Sequence, residues 1–404
     1  WADVDYKDQT RGTWAATTHL SRLRSMAVAF RAPLSPSANA TTLLASANGA
    51  LTFWLHGRFV NPNWYWNEIG VPQLLADILL LLEGRGLAPS DVQLAVSSIA
   101  KAESTNCDGS CGGANTADMA TITLQLGLVT GSTPTVTSAL ARLYSDLNVV
   151  PQPSEGIQHD GSFHQHGAEL LSGDSFAEAL CLCPVLLSAP ASFAGSYGAV
   201  FSTRMLQVHT LTANTSLTMP PDKLESFARL LLDGQQWVTT ASGDWALAVI
   251  GRSISAPGRH RVGLSTAAIR SLPVREVEMA AFATTLEAAA HGETRPGPVG
   301  NRMYFNSDTI VHRRATYAVV IRMRSKKTVA ARCINGACLK AQHVADGAIH
   351  VYPTDSAAAR FLSMPAVWDW HSLPGITAAT DSPFFACDPK ISEAFGYQWR
   401  DRDG

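Results

Sequence analysis

A chain of 404 residues, 46% hydrophobic and 16% charged, is too apolar for disorder and long enough for two domains, since single cores stop growing near about 250–300 residues. Its formal net charge of -2 excludes a global basic field, so nucleic acid and membrane surfaces are not expected partners and any anionic ligand has to meet a local basic groove. No apolar run reaches the roughly 18 residues of a membrane span, because Ile78 to Leu82 is boxed in by Asp77 and Glu83.

From Trp1 to about Ala290 the pattern is helical. An apolar stripe runs from His19 and Leu20 through Leu23, Met26, Ala27 and Phe30 and stops at Pro33. After the loop Asn61 to Gly70, Pro72 suits a first helical turn, and Val71, Leu74, Leu75, Ile78, Leu79 and Leu82 predict a helix buried on most sides. Ser90 is expected to cap a helix through Val92, Val96 and Ile99, and Asn115 to open one through Met119, Ile122 and Leu126. Further stripes run from Val136 to Leu147, Ala168 to Leu187, Leu224 to Leu232 and Val277 to Ala290. Loops rich in Gly, Pro, Ser and Asn separate them, which predicts stacked helical hairpins. Between two of these regions lies a polar turn, Glu155 to Gly167, with histidines at 159, 164 and 166. Imidazoles there can move protons, hold a metal or satisfy a buried loop.

The pattern changes at His291 to Pro298, which reads as a linker. Beyond it, Tyr317 to Arg324 and Ala348 to Tyr352 are short, β-branched and partly alternating, so a sheet domain is expected from 291 to 404 after a helical domain from 1 to 290. The chain opens at Trp1 without a starting methionine or signal peptide and closes at Asp401-Arg402-Asp403-Gly404. Both ends are expected to be cuts in a longer protein, with the sheet domain truncated. Cys107 with Cys111 and Cys333 with Cys338 can close small loops, and the sequons at Asn39 and Asn214 suit a secreted chain. Disulfides or free thiols are expected rather than a metal, and no cofactor is expected.

Several tracts occur in order over nearly the whole chain: Trp1-Ala2-Asp3-Val4-Asp5-Tyr6 with Trp14 and His19; Asn63-Trp64-Tyr65-Trp66-Asn67-Glu68-Ile69-Gly70; Gly113-Ala114-Asn115; and Asp160-Gly161-Ser162-Phe163-His164-Gln165-His166. Gly251-Arg252-Ser253-Ile254-Ser255, Asn306-Ser307-Asp308 with His312-Arg313-Arg314, and Pro365 to Trp370 with Leu373-Pro374-Gly375 complete the run. This ordered set resembles the chondroitin AC, hyaluronate and xanthan lyase family of polysaccharide lyases.

The resemblance implies an (α/α) toroid followed by an antiparallel β-sandwich, an acidic polysaccharide as partner, a monomer, and no metal. It implies β-elimination at a uronic acid, in which the C5 proton is removed. The weakly acidic C5–H needs its carboxylate turned into a better electron sink, and one well-placed neutral donor is worth about 2.7–4 kcal/mol there. The family's asparagine and histidine fall on Asn115 and His166, with Arg252 to hold the acid or leaving oxygen. Trp64, Tyr65, Trp66, Asn67, His164, Arg259, Arg313 and Trp368 are the expected substrate contacts, Trp64 and Tyr65 by stacking on sugar rings.

Three positions depart from the family. Its tyrosine, nine residues after the histidine, becomes Ser175, the second arginine of its Gly-Arg tract becomes Ala256, and its supporting glutamate falls on Arg332. Losing a general acid or base commonly costs about 10²–10⁴-fold. Tyr197 is a substitute phenol if its helix folds back toward His166, and His166 itself is the other candidate base. A protein that kept the cleft and lost the chemistry is therefore the alternative function.

Each tract also has a plainer reading. Asn115, with Asp118 three residues on, fits a helix N-cap; the aromatic run fits packing at a helix entrance; the arginines fit ion pairs with carboxylates; Trp368 or Trp370 fits interdomain packing. Ser175 has no Gly-x-Ser-x-Gly around it, which excludes a serine hydrolase of that type. A hydrolase would need two carboxylates among Glu155, Asp160, Glu169 and Asp174 to converge.

Overall fold

In the computed structural model, which describes residues 1–103, 113–151, 154–165, 197–251, 254, 261–323, 325, 328, 332–333, 343–355, 367–377 and 397–398, the stripe beginning at His19 forms helix α1 (Thr18–Arg31). Ala32 is extended, as a residue before proline must be, and this ends the helix. Helix α2 (Thr41–Gly57) buries Ala47, Leu51 and Trp54. Helix α3 (Val71–Leu82) has Pro72 in its first turn and is buried on nearly all sides. In α4 (Pro89–Ile99) the first-turn proline starts the helix after an extended Ala88, so Ser90 is not its cap. Helices α5 (Gly113–Thr130) and α6 (Thr133–Ser145) follow.

The described residues divide into two compact units, one of 1–103 with 115–143 and one of 113–114 with the described residues from 144 onward. The first has a continuous core in which Leu20, Leu23, Leu51, Leu75, Ile78 and Ile122 are fully buried. Each such aliphatic side chain contributes about 1.5–3 kcal/mol. Through this core runs a buried polar link: Arg24 Nε donates to Asp77 Oδ2 at 2.7 Å and Gln125 Nε2 to Asp77 Oδ1 at 2.6 Å. The charge that interrupts the apolar run at 77 thus joins α1, α3 and α5.

In the second unit, β1 (Val149–Val150), β2 (Gly156–Gln158) and β3 (Phe163–His164) form a small sheet in which β1 and β2 run parallel and β2 and β3 antiparallel. Helices α7 (Tyr197–Thr212) and α8 (Pro221–Ala228) come next, and α8 continues into a π-helical turn, Arg229–Gly234. After α9 (Thr266–Arg270) and α10 (Glu276–Ala290) the chain changes to strands where the sequence predicts. β4 (Gly300–Tyr304), β5 (Thr309–Arg313), β6 (Tyr317–Arg322) and, after the short β7 (Arg332–Cys333), β8 (Ala348–Pro353) make an antiparallel sheet ordered β4-β5-β6-β8. β7 pairs with β9 (Tyr397–Gln398). Alternation puts Tyr304, Val311, Val320 and Tyr352 inside, while Met303, Ile310 and Val351 point out. Among the described residues no helix is long and apolar enough to cross a membrane.

Candidate active site

The polar tract predicted as a turn is a β-hairpin. Its reversal rests on Gly161, whose φ of +84° favours glycine and where an added Cβ would lie 3.1 Å from the Asp233 backbone. Asp160 closes the turn: Oδ1 accepts from the Ser162 N–H at 2.9 Å and hydroxyl at 2.6 Å, and Oδ2 accepts from the Asn306 N–H at 2.7 Å. Arg302 Nη2 donates to the Asp160 carbonyl at 2.9 Å. The hairpin is thereby bound to the β4–β5 connection.

Successive strand residues face opposite ways, and here both are anchored. His164 is fully buried and its Nε2 shares a hydrogen bond of 2.8 Å with Ser307 Oγ. Burial pushes this imidazole down to about 4, against the opposing fields of Asp160 and Asp308, so it is neutral at pH 7. Gln165, also fully buried, accepts the Ala114 N–H through Oε1 at 2.9 Å. The first turn of α5 therefore takes a cap from a segment 51 residues away, while Asn115, the expected cap, is the third residue of the helix and is buried.

Helix α7 begins at Tyr197, which is buried. Its first turn is gripped by the fully buried Gln235, whose Nε2 donates to the Gly198 carbonyl at 2.9 Å and whose Oε1 accepts from Ser202 Oγ at 3.0 Å.

The aromatic tract lies in the first unit. Trp66 opens a π-helical turn, Trp66–Gly70, of a kind frequent at functional sites. Trp64 and Tyr65 are half-buried, edge to face with centroids 6.4 Å apart. Tyr65 lines a recess of about 10 Å³ with Thr17, Ser21 and Gln73, room for a single water.

The expected substrate contacts have these surroundings. Trp66 is 4% exposed, belongs to the core, and its indole N–H donates to the Arg11 carbonyl at 3.0 Å. Asn67 spends both ends of its amide on the Asn61 backbone, at 3.0 and 2.7 Å. Arg313 is 4% exposed and Nη2 donates to the carbonyls of Trp237 and Thr239 at 2.7 and 2.6 Å. Burial pushes its guanidinium down to about 10. His164 is buried and shares its Nε2 hydrogen bond with Ser307. Trp368 is half-buried and stacks on His350 with centroids 5.8 Å apart. His166, Ser175, Arg252 and Arg259 lie outside the described residues. Among the described residues no cluster of His, Cys, Asp and Glu is arranged to hold a metal.

Two family models match, the N-terminal alpha-helical domain of polysaccharide lyase family 8 over residues 1–176 and its super-sandwich domain over residues 299–399. The chain belongs to polysaccharide lyase family 8. Chondroitinase-AC of Pedobacter heparinus is 26% identical over 393 residues, 95% of this chain and 51% of that protein. A hyaluronate lyase of Thermasporomyces composti is 26% identical over 422 residues, 94% of this chain and 50% of that one. The solved structure of a chondroitinase AC lyase, 22% identical, superposes with a TM-score of 0.80 and covers 99% of this chain and 55% of its own. The fold is that of family 8, a mostly helical N-terminal region followed by an antiparallel sheet. The chain spans about half the length of the curated relatives it matches.

Within the family frame, Gln165 comes forward as a residue that the tracts alone do not single out, and Tyr197, the substitute phenol of the sequence reading, gains a second signal. Gln165 was read only as part of the histidine loop, because its partner is far away in sequence. Tyr197 has a sequence signal: with residues 174–195 removed, Gly173 meets Ser196 and Tyr197 falls ninth after His166.

Proposed function

We propose that the protein is a polysaccharide lyase that cleaves a uronic-acid-containing glycosaminoglycan, of the hyaluronan or chondroitin type, by β-elimination, acting as a secreted monomer without a cofactor. Asn115 and His166 hydrogen-bond the uronate carboxylate as charge builds on it, which stabilises the enolate-like state. Tyr197, in its ionised form, takes the C5 proton; the freed electron pair forms the C4–C5 double bond as the C4–O4 bond breaks, and the leaving oxygen takes a proton from the phenol. Arg252 neutralises the acid or the leaving oxygen, and Trp64 and Tyr65 stack on sugar rings.

The observation that supports this reading best is the match of both family 8 domain models, in order, over residues 1–176 and 299–399. The hydrolase reading loses Asp160, whose carboxylate is buried and committed to Ser162 and Asn306.

The reading is tested by incubating the chain with hyaluronan and with chondroitin and following ultraviolet absorbance of a conjugated uronate. Growth of that band with shortening of the polymer is expected. Saturable binding of an acidic oligosaccharide with no change in chain length, even after long incubation, would instead establish the binding-protein alternative that Ser175 suggests.

A further inference from the structure

Two asparagines differ from their fellows in how little the fold uses their side chains. Asn39 lies in the turn between α1 and α2, Asn214 in the turn after α7, and both are exposed. Among the described residues neither amide has a hydrogen-bond partner. Other asparagines are put to structural use: Asn61, Asn63 and Asn67 knit the loop before the π-helical turn, Asn148 accepts from Lys223, Asn301 meets His312, and Asn306 is buried against the hairpin. None of these six begins an Asn-x-Ser/Thr tract, whereas Asn39 and Asn214 both do.

Backbone conformation explains part of this. The φ is +55° at Asn39 and +61° at Asn214, a left-handed conformation that asparagine tolerates better than most side chains. It does not explain the hydroxyls two places on. Thr41 and Ser216 are exposed, and their side chains have no hydrogen-bond partner among the described residues. The intervening residues, Ala40 and Thr215, are not proline, so both tracts are complete acceptors for an N-linked glycan. The turns hold without the amides: the Asn39 N–H donates to the Phe30 carbonyl at 2.9 Å and the Thr215 N–H to the Thr212 carbonyl at 3.1 Å. A sugar on either amide therefore breaks no bond of the fold among the described residues.

We propose that Asn39 and Asn214 are N-glycosylation sites, modified as the chain enters a secretory compartment. The proposal rests on the secreted character of the proposed function. The donor is an oligosaccharide carried on a polyprenyl diphosphate. The asparagine amide nitrogen bonds to C1 of the first sugar, the bond from C1 to the phosphate oxygen breaks, the lipid diphosphate leaves with that electron pair, and the amide gives up one proton. Such a glycan is bulky and solubilising. Asn214 stands between the exposed Leu211 and Leu217, and Asn39 follows the exposed Leu34, so each glycan adds hydroxyls to a turn that otherwise presents leucine to water.

The test carries the full chain behind a secretory leader through a eukaryotic host and collects it from cells and medium together. An amidase that releases N-linked glycans, turning each linked asparagine into aspartate, is applied in oxygen-labelled water, and the peptides are weighed. Labelled aspartate is expected at positions 39 and 214. Asn39→Gln and Thr41→Ala should each abolish the first glycan, Asn214→Gln and Ser216→Ala the second, with kcat on hyaluronan or chondroitin unchanged. The two hydroxyl variants keep the asparagine and its turn, so they decide even where an asparagine variant fails to fold. Unlabelled asparagine at either position in the parent overturns the assignment there, as does a glycan that survives loss of the hydroxyl. Bare asparagines on a chain that still yields unsaturated products defeat this proposal alone, and a glycosylated chain that yields none defeats only the lyase reading.

Discussion

His164 and Ser307 lie 143 positions apart and meet through a hydrogen bond of 2.8 Å in a fully buried setting. The bond ties the histidine hairpin to the connection between β4 and β5. It also makes the protein sensitive to acid, since burial holds His164 down to about 4 while an unfolded histidine titrates near about 6.5.

Between those values the unfolded chain binds a proton that the folded chain refuses, so stability is complete above about pH 6.5 and falls as pH drops toward 4. His350, buried in the sheet and also pushed down to about 4, acts in the same direction. Each is expected to contribute about 2 kcal/mol to the loss between pH 7.5 and 5. Urea unfolding at both pH values should show His164→Gln losing less than the parent by about that amount. An unchanged difference between the two pH values would rule the assignment out.

The buried pair Arg24 and Asp77 gives a prediction for the first unit. Asp77→Ala leaves a guanidinium inside the core and should cost about 3–5 kcal/mol in denaturant unfolding. Arg24→Met combined with Asp77→Leu should cost far less, because both charges are removed together. Equal costs for the single and double variants would contradict the pairing.

For Asn115, replacement by Ala should leave the melting temperature within a few degrees and lower kcat about 10²–10³-fold, the range found when one donor to a developing oxyanion is removed. Steady-state kinetics on hyaluronan or chondroitin read this directly. A rise in KM with kcat intact would assign Asn115 to ground-state binding instead.

Tyr197 and the segment before it are tested together. Tyr197→Phe should lower kcat by about 10²–10⁴-fold, whereas Ser175→Ala should leave it unchanged. A chain lacking residues 174–195, in which Tyr197 is ninth after His166, is expected to be at least as active as the parent. Loss of activity in that deletion with the melting temperature preserved would exclude Tyr197 as the phenol of the reaction.

What could be read from sequence follows from where each signal lives. Helices α1 and α3 were legible because their apolar residues recur at helical spacing and proline marks an edge, and the passage from helix to strand near 291 was legible because side-chain type changes there. The hairpin was not, since Gln158, His159, His164 and Gln165 have no strand-like character; its strands form because Asp160 and Gly161 build the turn and distant partners satisfy the polar side chains. The Gln165 cap spans 51 residues and leaves no local mark. The buried settings of Trp66 and Arg313 are not legible for a related reason: an aromatic run or a lone arginine looks the same in sequence whether it faces a ligand or a set of buried carbonyls.

The central claim is elimination, and the most direct measurement is digestion of hyaluronan or chondroitin in oxygen-labelled water with mass analysis of the oligosaccharides. Elimination leaves products lighter by one water than those of hydrolysis, unsaturated at the non-reducing end and free of label from the solvent at the bond cleaved. Products of hydrolytic mass carrying solvent oxygen at the cleaved bond would contradict the account.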